Sequence, residues 1–557
     1  MRQTKLEESK ILIEVSQRGN YLVPPGITLA AFCALIDPQL KHQVMAAICN
    51  HRLIDLHDKL EQPCVLELVL TDSDLGLRIY RRSVEFLLVK ACHDVFPKHQ
   101  MAIKYSISNA LFCEFTDFDI SIAEIKQIDE RMMEIINDDL PINKVKVGKN
   151  EALLLFKRQE QIHKAQLMQM MHDQETVLYE IDGFYENSYT AMVNNTGILE
   201  KFRLLKYYSG FLMQNPETHT EGKIEDYIEQ KNLANVFTEA KEWSQMLNIS
   251  YATDLNRSIN KGEIGDIIRV NEALHEKKIA YIADEICRRT GARVVLISGP
   301  SSSGKTTFAQ RLMIQLRVNG KKPISISIDN YFVDRVLTPL NQYGEYDFEA
   351  LEAIQISRLN QDLSRLIRGE KVQTPAYNFR TGKSEETGPT LEVAADDFII
   401  LEGIHALNDQ LTPIISNDQK YKIFISALTP LNLDTTNRIP TTHCRLIRRI
   451  IRDVRTRGYN ALETLKRWPF IRKSEDASIF PFQEEADICF NSSLVYELSI
   501  LKDHAEPLLR EIAPQNSEYI EACRLLDYLS FFYPALGDEI PNTSILREFI
   551  GDSSFRH

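Results

Sequence analysis

Two periodicities divide this chain. Beyond Arg293, short apolar runs at 294–297, 324–328, 398–401, 423–425 and 488–490 read as buried strands. Between them lie longer amphipathic stretches, the first a predicted helix over 307–316 that ends near Gly320. Strand and helix in alternation predict a parallel sheet with helices on both faces. The first 70 residues read differently, as short strands (Ile11–Val15 and 65–70) around a small helix at 29–35, with Pro24-Pro25-Gly26 as a turn. Residues 215–290 are polar and helical; over 271–285 the stripe Ala273, Leu274, Ile279, Ile282 and Ala283 leads toward the alternating region. Gln214-Asn215-Pro216-Glu217 and 218–222 read as a hinge, and 518–534, rich in Leu, Tyr and Phe, as an apolar helix pair that covers the sheet or joins two copies of the chain.

Composition narrows the class. At 557 residues several cores are expected, and 44% hydrophobic with 26% charged residues is ordinary for a soluble protein. No apolar run approaches a membrane span, and the polar start is unlike a signal peptide. Nine scattered cysteines without a C-x-x-C pair point to a reducing cytoplasm. A net charge of −13 disfavours non-specific nucleic-acid binding.

The chemistry starts at Gly299-Pro300-Ser301-Ser302-Ser303-Gly304-Lys305-Thr306, which fits G-x-x-x-x-G-K-[ST] between a strand and a helix. Gly299, Ser301, Ser302, Ser303, Gly304, Lys305, Thr306 and Thr307 are the set expected to cradle a nucleoside triphosphate, ATP, with backbone N–H groups and the helix N-terminus facing the phosphates. Lys305 reaches the outer phosphates and the Thr306 hydroxyl ligates Mg²⁺. Asp329 and Glu402 follow two predicted strands at their carboxyl ends, where ligands of such sheets sit. One carboxylate suits proton abstraction from an attacking hydroxyl and the other suits Mg²⁺. No D-x-x-G follows Thr306 and no N-K-x-D occurs, so GTPase chemistry is disfavoured. The helix over 444–457 carries six arginines, of which Arg445, Arg449 and Arg452 share a face suited to a lid over ATP.

With GPSSSGKTT, SISIDNYF, GEYDFEAL, VQTPAYNF, DFIILEGIHAL and RLIRRIIRD in place, the stretch 293–501 resembles the uridine kinase branch of the P-loop kinases, which also includes phosphoribulokinase. The resemblance implies Asp329 as catalytic base, Asp347 as the ribose-hydroxyl ligand and Tyr377 as a wall of the nucleoside pocket. It also implies that Glu402 supports Mg²⁺ with Asp329 and Thr306, and that Arg449 lies nearest the substrate. Tyr331 and His405 complete the expected acceptor set, with Arg445 and Arg452 on ATP. Two departures stand out. Gly382 occupies the place of a base-reading His, and Tyr459 that of an Arg beyond the lid helix.

The front half resembles a TGS module (1–72), a small ubiquitin-like α+β fold, followed by the second, editing domain of threonyl-tRNA synthetase (73–214). A helical linker (215–290) and the kinase region (291–557) complete the expected order. The residues carrying the editing resemblance are 76–83, Phe96-Pro97, Met101-Ala102-Ile103 and Phe202-Arg203-Leu204-Leu205. Its metal- and water-binding positions are Arg82, Phe86, Tyr189 and Val193 here, so neither the metal nor the editing chemistry is expected. Residues 1–75 hold 7 Lys/Arg against 10 Asp/Glu, a poor footprint for RNA. Three activities are thus in view: an ATP-dependent kinase for the 5′-hydroxyl of uridine or cytidine, the same machinery on a sugar phosphate or other nucleoside, and an ATP-switched translation-associated binding protein.

Overall fold

The structure is a computed structural model that describes residues 10–171, 173–217, 222–340, 344, 346–429 and 431–555. Residues 1–9 of the first module and 218–221 of the expected hinge lie outside the described residues.

The expected parallel sheet is present, in the order Ile324–Ser327, Ile399–Glu402, Val294–Ser298, Lys420–Ser426, Ile488–Asn491. Its central strand is wholly buried, as a strand covered on both faces requires. Strand order reverses on either side of Val294–Ser298, so the crevice at its carboxyl end is the natural ligand position. The loop leaving that strand enters the helix Lys305–Val318.

Residues 231–288 do not behave as a linker. They form helices Lys231–Leu247, Ala252–Asn260 and Ile264–Arg288, and Ile279, Ile282, Ala283 and Ile286 share one core with Phe308 and Leu312 of the phosphate-loop helix. The buried stripe departs from the sequence reading, since Ala273 is exposed while polar Asn271, Glu272 and His275 are buried. Hydrogen bonds explain the exchange. Asn271 Oδ1 accepts from Val495 N–H at 2.9 Å and Glu272 Oε1 from Tyr496 O–H at 2.8 Å, while His275 Nε2 lies 3.3 Å from Ser493 O. These bonds pin the loop after the last strand. The expected helix pair at 518–534 is a single helix, Tyr519–Ser530, followed by buried Phe531 and Phe532 in the same core.

The front half holds two further units. Strands Gly19–Val23, Ile11–Val15, Cys64–Leu70, Val44–Cys49 and Arg52–Asp55 form a mixed five-stranded sheet, with Ile11–Val15 parallel to Cys64–Leu70 and helix Leu29–Ile36 in its core. Next, a four-stranded antiparallel sheet (Arg203–Tyr207, Gly210–Gln214, Ala110–Phe115, Met101–Ile107) packs with helices Asp74–Val95 and Ile122–Asn137 around one core. In the first part of the expected hinge, Gln214 and Asn215 are buried and Pro216 O accepts from Arg81 at 2.6 Å, so this stretch is held in place.

The kinase-like half meets the front half at several places, among them a largely buried loop, residues 432–438. Ile103 N–H donates to Thr435 O at 2.8 Å, and Asn432 Nδ2 donates to Ile103 O at 3.1 Å. Arg82 donates to Asn187 O, Thr436 O and Asn437 Oδ1 and pairs with Glu85 and Glu186. Fully buried Lys164 also pairs with Glu186. Phe86 stacks on Phe184 at 6.3 Å, Tyr189 packs on Phe531 at 4.6 Å, and Val193 N–H donates to Ser83 Oγ at 3.1 Å. The four positions that would carry editing ligands are therefore committed to packing and to holding this loop.

Candidate active site

The phosphate loop takes its shape from two left-handed residues, Ser302 (φ +59°) and Gly304 (φ +84°). At Gly299 a side chain is barred by close approach: a Cβ there would stand 2.1 Å from Ile425 O. Lys305 Nζ folds back onto Gly299 O (2.8 Å) and Pro300 O (3.1 Å). Loss of hydration lowers the Lys305 pKa from its ordinary value, opposed by Glu402 and Asp329. The Ser302 and Ser303 hydroxyls are buried without partners, and Thr306 Oγ1 donates to Glu402 Oε1 at 3.4 Å.

Asp329 and Glu402 both act on Lys305 through their charge. The strand expected over 324–328 ends at Ser327, and a tight turn, Ile328–Tyr331, carries Asp329 into the cleft. Asp329 is open to solvent, yet the surrounding protein raises its pKa, while Lys305 and Arg457 hold it down. Glu402 ends its strand, partly buried, and its carboxyl is pushed up to about 7, first by burial and then by the charge of Asp329. Among the described residues no cluster of three or more His, Cys, Asp or Glu side chains forms a closed metal site. Hard oxygen donors from Thr306, Glu402 and Asp329 fit Mg²⁺, which binds through one or two carboxylates plus phosphates and water.

The arginine helix departs from expectation. It spans Thr441–Arg452 and continues as a wider turn, Asp453–Arg457, ending at Gly458. Arg445 does not face a donor: it is buried beneath the loop, paired with Glu475, with Nε donating to Ser301 O at 3.0 Å. Arg448 is likewise buried against Glu497. Arg449 donates to Ser301 Oγ and lies 3.1 Å from Asp453 Oδ2, and Arg452 lies 2.8 Å from Asp453 Oδ1. Arg457 shares the same carboxylate at 3.8 Å. Burial pulls the Arg449 pKa down to about 10; Arg452 and Arg457 push the same way while Asp453 opposes them. Such a cluster suits a phosphate group.

Phe332, Phe348 and Phe379 surround Tyr377 with ring centroids 5.5, 6.4 and 5.0 Å away. The Tyr377 hydroxyl is buried without a partner, an unmet polar group within an aromatic cage. Asp347 is partly buried, and its Oδ1 accepts from Glu349 N–H at 3.0 Å. His405 is buried and pinned, Nε2 donating to Glu349 O at 2.9 Å, and burial lowers its pKa. Tyr331 is not brought into the site: it is fully buried in the core with Leu359 and Leu363, and its hydroxyl donates to Asp362 at 3.1 Å. At Gly382 (φ +69°) a Cβ would meet the Arg335 side chain at 2.8 Å, so Arg335 packs directly against this glycine, and its guanidinium donates to Phe379 O. The ring of Tyr459 lies under Arg467 at 4.1 Å.

Three further carboxylates received no role from the sequence. Glu349 joins the cleft electrostatically with Arg449, Asp329 and Lys305; Glu475 accepts from Ser301 N–H at 2.8 Å; and Glu548 accepts from Thr307 Oγ1 at 2.8 Å. Only Glu349, within GEYDFEAL, carried a usable signal.

Residues 294–498 match the sequence profile of the Phosphoribulokinase / Uridine kinase family. The N-terminal part is similar to threonine–tRNA ligases. With that of Francisella tularensis subsp. holarctica (strain OSU18) it shares 28% identity over 201 residues, 36% of this chain and 32% of that protein. With that of Desulforamulus reducens the identity is 27% over 198 residues, 35% of this chain and 31% of that protein. The chain thus spans about a third of the length of these curated relatives. A solved structure described as a "Possible Uridine Kinase from Bacillus stearothermophilus" aligns with 39% of this chain and 98% of its own, at 19% identity and a TM-score of 0.27. Among the described residues no helix is long and apolar enough to cross a membrane.

Proposed function

We propose that this chain is an ATP- and Mg²⁺-dependent kinase that phosphorylates the 5′-hydroxyl of a nucleoside, uridine or cytidine first, in the cytoplasm. The observation that carries the reading is Asp329, which shares the charge of Lys305 with Glu402; the unpartnered Tyr377 hydroxyl in its aromatic cage supports an acceptor pocket. Asp329, with its pKa raised, accepts the proton of the acceptor hydroxyl. Lys305 leaves its loop carbonyls for the outer phosphates, and Arg449, Arg452 and Arg457 balance charge on the transferred group. Mg²⁺, held by Thr306 and Glu402 with Asp329 nearby, would neutralise phosphate charge. Asp347 offers its free oxygen to the ribose hydroxyls. The units at 10–72 and 73–214 serve as TGS-like and synthetase-like scaffolds without editing activity.

Arg335 favours a second reading. A guanidinium packed against the glycine at the base-reading position suits an anionic acceptor such as a sugar phosphate. ATP consumption across a panel of nucleosides and sugar phosphates tests both. Turnover with uridine or cytidine supports the first reading, turnover restricted to sugar phosphates supports the second, and hydrolysis indifferent to every acceptor removes both in favour of a nucleotide switch.

A further inference from the structure

The last elements of the chain return to the phosphate loop. Ile540, Ser544, Ile545, Leu546 and Phe549 are buried, and Arg547 donates to Gly537 O (3.0 Å) and Ile540 O (2.7 Å), which folds the segment on itself. Ile545 seats against Gly304, where a Cβ would approach its Cγ2 to 2.5 Å. The Phe549 ring lies 5.1 Å from the guanidinium carbon of Arg448, and Arg455 donates to Phe549 O at 2.5 Å.

Glu548 stands between these anchors, with Oε2 2.8 Å from the hydroxyl of Thr307, a fully buried residue in the first turn of the helix Lys305–Val318. A helix N-terminus next to a glycine-rich loop favours an anion, and here the anion at hand is a carboxylate of the chain itself. Glu548 also adds negative charge around Lys305 and Glu402.

We propose that Glu548 is a donor-site residue whose carboxylate competes with the donor's phosphates for the Thr307 hydroxyl and the helix N-terminus. The inference rests on the reading of the loop as the donor site. The donor displaces Glu548 when it binds, so Glu548 sets the concentration at which the site fills. Ile545 and Phe549, packed under the loop and Arg448, keep the carboxylate in place.

The test is calorimetric binding of ADP with Mg²⁺ to the full chain, comparing the unmodified protein with Glu548→Gln and Glu548→Asp. Gln keeps the shape and removes the charge, so ADP should bind about tenfold more tightly, the scale of one charge-assisted hydrogen bond. Asp keeps the charge but withdraws the carboxylate by one methylene, and it should give a smaller gain. It also serves as the working variant if Gln does not fold. Unchanged or weaker ADP binding in the folded variants overturns the competition while leaving the donor site intact. ADP binding to none of the three proteins overturns the donor site itself, and the competition with it.

Discussion

Replacing Glu402 by Gln should stabilise the protein above neutral pH and leave it unchanged in acid. The carboxyl is raised from 4.5 to about 7, chiefly by burial and then by Asp329. Between these values the folded chain binds more protons at Glu402 than the unfolded chain does. Stability therefore falls as pH rises through this window, and the loss is complete above pH 7. A shift of about 2.5 units corresponds to roughly 3 kcal/mol; water reaching this partly buried group reduces that to about 2 kcal/mol. Gln removes the penalty while retaining an oxygen for the Thr306 hydroxyl, now 3.4 Å from Glu402 Oε1. For a domain of this size the gain is a rise in melting temperature of about 4–8 °C at pH 8. Differential scanning fluorimetry of both proteins at pH 4.5 and pH 8, without nucleotide or Mg²⁺, measures it. An equal shift at both pH values, or destabilisation at pH 8, would refute the account of Glu402 as a carboxylate kept unpaired for a metal.

Asp329→Asn should lower kcat about 10²–10⁴-fold with ADP binding nearly intact, and near-normal turnover would remove Asp329 as the base. Arg82→Ala should cost about 1–3 kcal/mol in thermal or urea unfolding because it leaves the buried acceptors Asn187 O, Thr436 O and Asn437 Oδ1 without their shared donor, while Glu186 keeps its ion pair with Lys164; Arg82→Lys, which cannot reproduce the several-pronged contact, should recover only part. Ribonucleosides should exceed 2′-deoxyribonucleosides about tenfold in kcat/KM. This is the low end for a half-satisfied carboxylate, since Asp347 is only partly buried and one of its oxygens already accepts from Glu349. Equal rates would dismiss Asp347 as a ribose ligand.

The parts legible in the sequence are those whose chemistry is local. The phosphate loop is a spacing, and Asp329 and Glu402 follow from the rule that ligands gather at strand ends. Arg445 was misread because its partner is distant in sequence: Glu475 lies 30 positions beyond it, as Glu497 lies 49 beyond its neighbour Arg448. A basic helix looks solvated until those carboxylates are folded against it. Polar Asn271, Glu272 and His275 broke the hydrophobic stripe for a similar reason, since each is buried to hold the loop at 493–496. Tyr331 looked like a pocket residue beside Asp329, but the tight turn points the two side chains apart.

The charges of the cleft come in two unbalanced sets. Arg449, Arg452 and Arg457 crowd around the carboxylate of Asp453, and Glu402, Asp329 and Glu349 crowd around Lys305, with Glu349 and Asp329 only partly bridging the two through Arg449 and Arg457. An anion alone would relieve the first set and aggravate the second, and a divalent cation alone would do the reverse. A ligand that carries polyphosphate and metal together relieves both. Each set is costly without its ligand, as the lowered pKa of Arg449 and the raised pKa of Glu402 indicate. That cost is reasonable in a site whose energy is realised only when a metal–nucleotide complex closes it, and it is hard to explain for a surface that exists only to hold domains together.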